Sequence, residues 1–185
     1  MEMRRSSLIT GLVAAGLMFA ARGAMAYTAR PIYFKGYGAG SSVNSSFSFD
    51  GGSDGLLTAL GNDNVGGQNL AQDVAEYYDS GDTCTATDGT MGELYYLYES
   101  ISVTTYVNGG QIYGFADKGT ECVSFTTGVF NGSGPFYIVD GSGKFAGASG
   151  TGENYFNGLF LASPSAPGSG FFASVQYSNV GTVTP

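Results

Sequence analysis

Glu99 is the residue whose type and position first suggest chemistry. It lies in the run Glu93 to Tyr106, where Tyr95, Leu97, Ile101 and Val103 alternate with Ser100, Ser102 and Thr104. In a strand, that alternation buries the odd face and carries Glu99 inward with it. A carboxyl held among apolar groups titrates above its ordinary value and can act as general acid or base. Tyr95, Tyr113, Tyr155 and Tyr177 are candidate hydrogen-bond donors to a ligand in the same interior. The plainer alternatives are a satisfied or mouth-exposed carboxylate at Glu99 and core or rim aromatics whose hydroxyls reach water.

The chain contains no histidine and no tryptophan. Nucleophiles activated by histidine and histidine-rich metal sites are therefore excluded, and any catalysis has to run on Asp, Glu, Tyr, Asn or Lys. Cys84 and Cys122 are the only cysteines. In an oxidising compartment an even count favours one disulfide over two buried thiols. Two cysteines without histidine make a poor zinc shell, so no metal site and no cofactor are expected. Asp50, Asp54 and Asp63 stand in an oxygen-rich glycine segment that could suit calcium, although their spacing matches no EF-hand.

The first 26 residues have the three parts of an export signal: Arg4 and Arg5, the apolar run Leu8 to Ala21, and Ala24-Met25-Ala26 as a cleavage site. The apolar run falls short of the roughly 20 residues a spanning helix needs, so no membrane span is expected after cleavage near Ala26. Arg4-Arg5-Ser6-Ser7-Leu8 resembles a twin-arginine signal, and an ordinary secretory signal accounts for it equally well. The expected location is periplasmic or secreted. Cleavage removes Arg4, Arg5, Arg22 and Glu2, leaving four basic against fourteen acidic residues. Such an acidic protein is a poor partner for nucleic acid or an anionic membrane.

The elements that must position these groups read as short strands. Runs rich in Tyr, Phe, Val and Thr are separated by clusters of Gly, Asn, Asp and Ser. Eight candidates emerge: Pro31 to Tyr37, Val43 to Asp50, Glu93 to Tyr106, Gln111 to Asp117, Thr120 to Phe130, Phe136 to Val139, Glu153 to Ala162 and Phe171 to Val180. Asn108-Gly109-Gly110 and Asp117-Lys118-Gly119 have hairpin chemistry, which makes neighbours antiparallel. Closure protects the edges of such a sheet, so one all-β domain over 27–185, a closed eight-stranded antiparallel barrel, is expected. Odd parity also turns Val123, Phe125 and Val129, then Tyr155, Asn157, Leu159 and Leu161, and finally Phe171, Ala173, Val175 and Tyr177 inward. Residues 50–83 read as an acidic, glycine-rich excursion with a helical turn at Asn69 to Tyr78, where Leu70, Val74 and Tyr77 or Tyr78 recur at helical spacing. Pro164 to Gly170 reads as a second connection.

The segment Asp140-Gly141-Ser142-Gly143-Lys144-Phe145-Ala146-Gly147-Ala148-Ser149-Gly150 resembles the glycine motif of the allene oxide cyclase and dirigent-like barrel superfamily, which includes small exported bacterial proteins. Asp140 stands where the motif has its first glycine, and Ser142 replaces a threonine. The resemblance implies an eight-stranded barrel with an apolar cavity at one end, and a homo-oligomer as in plant members. Those relatives cyclise a fatty-acid epoxide or guide the coupling of phenolic radicals, largely by holding a reactive substrate in one conformation. No catalytic residue carries over, because nothing outside the glycine motif matches a family active site. Three functions follow as expectations: a non-catalytic exported barrel that binds a small apolar or phenolic ligand or serves a structural extracellular role, a cyclase or isomerase acting on a hydrophobic substrate, and a calcium-dependent binding or adhesion protein.

Overall fold

The computed structural model describes residues 28–43, 53–161 and 172–184. The expected signal over 1–26, residues 44–50 of the expected second strand, Asp50 and the connection Pro164 to Gly170 lie outside them. Nine strands run β1 (Arg30–Val43), β2 (Ser53–Asp63), β3 (Gly67–Thr85), β4 (Met91–Tyr106), β5 (Gln111–Ala116), β6 (Thr120–Val123), β7 (Val129–Ser142), β8 (Ser149–Phe160) and β9 (Phe172–Thr184). One 3-10 turn, Gly143–Phe145, links β7 to β8.

All pairings are antiparallel, and β9 returns to pair with β1, which closes the ring. β5 and β6 share one position: both pair with β4 on one side and β7 on the other. The ring therefore has eight strand positions, as the strand count of the sequence implied. Eight positions leave an interior just wide enough to be filled by side chains or to hold one small ligand.

Several local expectations are corrected. Residues 53–83 are no excursion but the hairpin of β2 and β3, and Asn69 to Tyr78 is strand, paired with β2 and β4 at once. Ladder bonds on both sides outweigh a weak helical tendency. Asp117-Lys118-Gly119 is a break rather than a reversal, because β5 and β6 continue in one direction along β4. The run Thr120 to Phe130 is split by a turn in which Gly128 takes a φ of +77°, a value that favours glycine. The hairpin at Asn108-Gly109-Gly110 forms as expected, with Gly109 N–H donating to Tyr106 O.

Orientation follows the expected parity in β9, where Ala173 and Val175 are buried. In β8 it is reversed: Phe156 and Phe160 pack against the interior, while Tyr155 and Leu159 are exposed. Phe125 is also exposed and Phe130 is buried instead. In β4 the parity changes along the strand. Glu76 faces Glu99 while Tyr77 faces Leu97, so Tyr98 is an extra residue that flips the alternation. Beyond it Ser100 is buried and Ile101 is 58% exposed.

Two apolar clusters occupy the interior. One joins Ile32, Phe34, Tyr106, Ile112, Ile138, Phe145, Ala148 and Val183. The other joins Val123, Phe130, Ala173 and Val175, with Tyr95, Phe156 and Phe160 against them. Interior glycines admit the flat rings: a Cβ at Gly66 would overlap Tyr106, and one at Gly132 would overlap Phe156.

Candidate functional site

Alternation in β3 turns Asp73, Ala75 and Tyr77 to the inside, and beyond the bulge in β4 it turns Ser100 and Ser102 inside. Glu121 projects inward from β6, one step from the buried Val123. Ser100 Oγ donates to Asp73 Oδ2 at 2.7 Å. Burial pushes the Asp73 carboxyl up to about 6, with the Ser100 hydrogen bond opposing the rise. Burial alone pushes Glu121 up to about 7. The Tyr77 hydroxyl is raised well above its ordinary value, first by burial and then by negative charge on Glu121 and Asp73.

Asp73 and Glu121 are surrounded by protein, yet each keeps some accessible surface. That surface therefore opens on space inside the ring. No Lys or Arg occurs between Gly36 and Asp117, and neither carboxyl owes its state to a cation. Desolvation raises the neutral share of each: near pH 7 Glu121 is partly protonated and can donate as well as accept, while Asp73 is mostly ionised and accepts. Two such carboxyls with a phenol between them can hold a neutral hydroxylated molecule, or pass a proton to one.

The residues singled out from the sequence are scattered. Glu99 lies at the bulge, opposite Glu76, on the face away from Ser100. Tyr113 lies on the outer face, its hydroxyl donating to Gln111 Oε1 at 2.9 Å. Tyr155 is also outside and 51% exposed. Tyr95 and Tyr177 do face inward, at different ends. Tyr95 packs beside Phe156 and Phe160 and donates to Glu93 Oε2 at 3.0 Å; burial, then that bond, raises its hydroxyl far above its ordinary value. Tyr177 packs in the other cluster, where burial followed by the charge of Asp63 pushes it up to about 12. Asp73, Tyr77, Ser100 and Glu121 were missed. Parity could have found Glu121, since Val123 two residues on was expected to be inside.

At the Tyr177 end, Asp63 is committed to its own turn. Its Oδ1 accepts the N–H groups of Val65 and Gly66 at 2.8 and 2.6 Å, and Oδ2 accepts Asn69 Nδ2 at 2.9 Å. These bonds compete with any calcium at Asp63. Asp54 lies in β2. Cys84 and Cys122 form the expected disulfide, which spans β4 and links β3 to β6.

No protein-family model matches the chain, and no curated protein matches it by sequence. Among solved structures it is similar to the pterocarpan synthase dirigent protein GePTS1 at 12% identity, covering 88% of this chain and 89% of that one, with a TM-score of 0.40. No helix among the described residues is long and apolar enough to cross a membrane.

Proposed function

We propose that the chain is an exported protein that binds a small apolar or phenolic ligand inside the ring, without turning it over. The observation that carries this reading is the pair Asp73 and Glu121, enclosed by protein but opening on internal space beside Tyr77. Phe130, Phe156 and Phe160 supply an apolar wall for the body of the ligand, and the two carboxyls supply partners for its hydroxyls. Native mass spectrometry of protein purified from its own host tests it. A reproducibly retained small molecule, lost in the Asp73→Asn/Glu121→Gln double variant, supports the proposal; protein of bare polypeptide mass from several preparations overturns it.

The two elevated carboxyls also favour a second reading, a cyclase or isomerase of the allene oxide cyclase type. Glu121, not Glu99, would then be the acid. With a found substrate, Glu121→Gln would remove turnover and Glu99→Gln would leave it intact.

A homo-oligomer belongs to the same proposal. On the outer face Tyr37 pairs with Leu60, and Leu56 with Val74 and Val74 with Ile101, all of them exposed. Such an apolar band is a surface a second copy could cover. Light scattering that shows only monomer at micromolar concentration counts against it.

A further inference from the structure

A second place for a ligand lies outside the ring, beside the disulfide. Cys84 pairs with Gly92 and Cys122 with Leu94, so the bridge lies across β4 and, with Leu94, floors a depression of about 290 Å³. One wall is the turn after β3, pinned by Thr87 N–H donating to Asn131 Oδ1 at 3.1 Å and by Thr90 Oγ1 donating to Ser124 Oγ at 2.7 Å. The other wall is β8. Thr120 pairs with Ser133 and Ser133 with Tyr155, and in the adjoining row Cys122 pairs with Asn131 and Asn131 with Asn157.

The chemistry of this depression is narrow. Its lining contains no carboxylate and no cation. The hydroxyls of Thr120, Ser133 and Tyr155 and the amide of Asn157 have no hydrogen-bond partner among the described residues. A charged guest would lose hydration and find no counter-charge. A wholly apolar guest would strip water from four polar groups and pair none of them. A neutral ring that carries hydroxyls on its rim and C–H groups on its face meets both demands, because Tyr155 offers an aromatic surface beside free donors and acceptors.

We propose that this outer depression is a binding site for neutral saccharides, with a sugar ring on the face of Tyr155 and its hydroxyls bonded to Asn157, Ser133 and Thr120. Gly132 and Phe156 of the ring wall complete the lining, and neither Asp73 nor Glu121 belongs to it. Titration calorimetry of the disulfide-intact protein with cellohexaose, chitohexaose and maltohexaose, each at millimolar concentration, tests it. At least one should bind, and Tyr155→Ala should weaken it by about tenfold or more. Tyr155→Phe, which keeps the ring, should stay within about threefold of the parent. Glu99→Gln, on the outer face away from this lining, should leave saccharide binding unchanged. Tyr155 is exposed on a strand, so the alanine variant is expected to fold, and an unchanged melting temperature would show that it has. Absence of heat with all three sugars overturns the proposal, as does equal binding by the Tyr155→Ala variant.

Discussion

The two ends of the interior solve the same packing problem in opposite ways. At one end Phe145 reaches back from the 3-10 turn, is 3% exposed, and stacks on Tyr106 with ring centroids 4.6 Å apart. Ile32, Ile112, Ile138 and Val183 fill the space around it. Polar atoms there are only partly spent on the scaffold: Asp63 holds its turn, while the hydroxyls of Tyr106 and Tyr177, Asn69 Oδ1 and Asn179 Oδ1 are buried with no hydrogen-bond partner among the described residues. Toward the other end, Asp73, Tyr77 and Glu121 face inward with accessible surface left over. One end is a plug and the other a chamber. The glycine motif marks the end filled by apolar side chains, and the inward carboxyls that keep accessible surface lie toward the other.

The contrast can be broken most forcefully at the plug. Phe145→Ala should destabilise the protein by about 3–5 kcal/mol, read as a lower denaturant midpoint, because it opens a cavity beneath Tyr106. A loss below about 1 kcal/mol would show that the turn does not close this end. Removing the disulfide with Cys84→Ser/Cys122→Ser unties β3 from β6 on the outer face, behind Glu121, and should cost about 2–4 kcal/mol.

A smaller effect sharpens the comparison by pH. Asp73 and Glu121 have folded-state values raised above those of the unfolded chain. For such acids the unfolded state loses protons first, so native stability is greatest below about pH 4 for these two groups and falls as pH rises toward and through about 7. Full desolvation of both would amount to about 6 kcal/mol, but each keeps accessible surface that screens its charge, so destabilisation of about 1–3 kcal/mol is expected at about pH 8 relative to pH 4. Thermal melts should show a higher midpoint near pH 5 than near pH 8, and Asp73→Asn/Glu121→Gln should flatten that slope. A parental slope unchanged in the double variant would mean that the carboxyls are not desolvated. The smallest effect is expected at Glu99: Glu99→Gln, on the outer side of the bulge, should move stability by less than about 0.5 kcal/mol.

The same contrast decides how much was legible in the sequence. Ring closure, the disulfide and the Asn108-Gly109-Gly110 hairpin were readable, because turn chemistry and cysteine parity are local signals; the count of eight agreed although β2 and β3 were read as an excursion, since β5 and β6, which share one position, were counted apart. The loop that carries Phe145 was marked by its glycine motif. Asp140 strengthens that loop in a way the motif does not suggest: its Oδ1 accepts the N–H groups of Gly141 and Gly147 at 2.7 and 3.2 Å. The chamber was misread because parity arguments assume an apolar inside. In β3 the inner row is Asp73, Ala75 and Tyr77, while Val74 faces out; in β4 Ser100 and Ser102 face in while Ile101 faces out. A strand whose polar face is the inner one presents its pattern inverted. The bulge at Tyr98 then shifts Glu99 to the wrong side, and a single inserted residue leaves no mark in composition.

The seam between β1 and β9 sets a folding order. Arg30 pairs with Val183 and Ser41 with Phe172, so the strand made first can be sealed only by the strand made last. Every hairpin from β2 to β8 can form from near neighbours, but this seam waits until nearly the whole chain is available, the slow kind of contact that high sequence separation imposes. Until then two unpaired borders are open to other chains. If the chain is exported as proposed, its carrier must either move it with the seam already shut or shield it until the seam can shut on the far side.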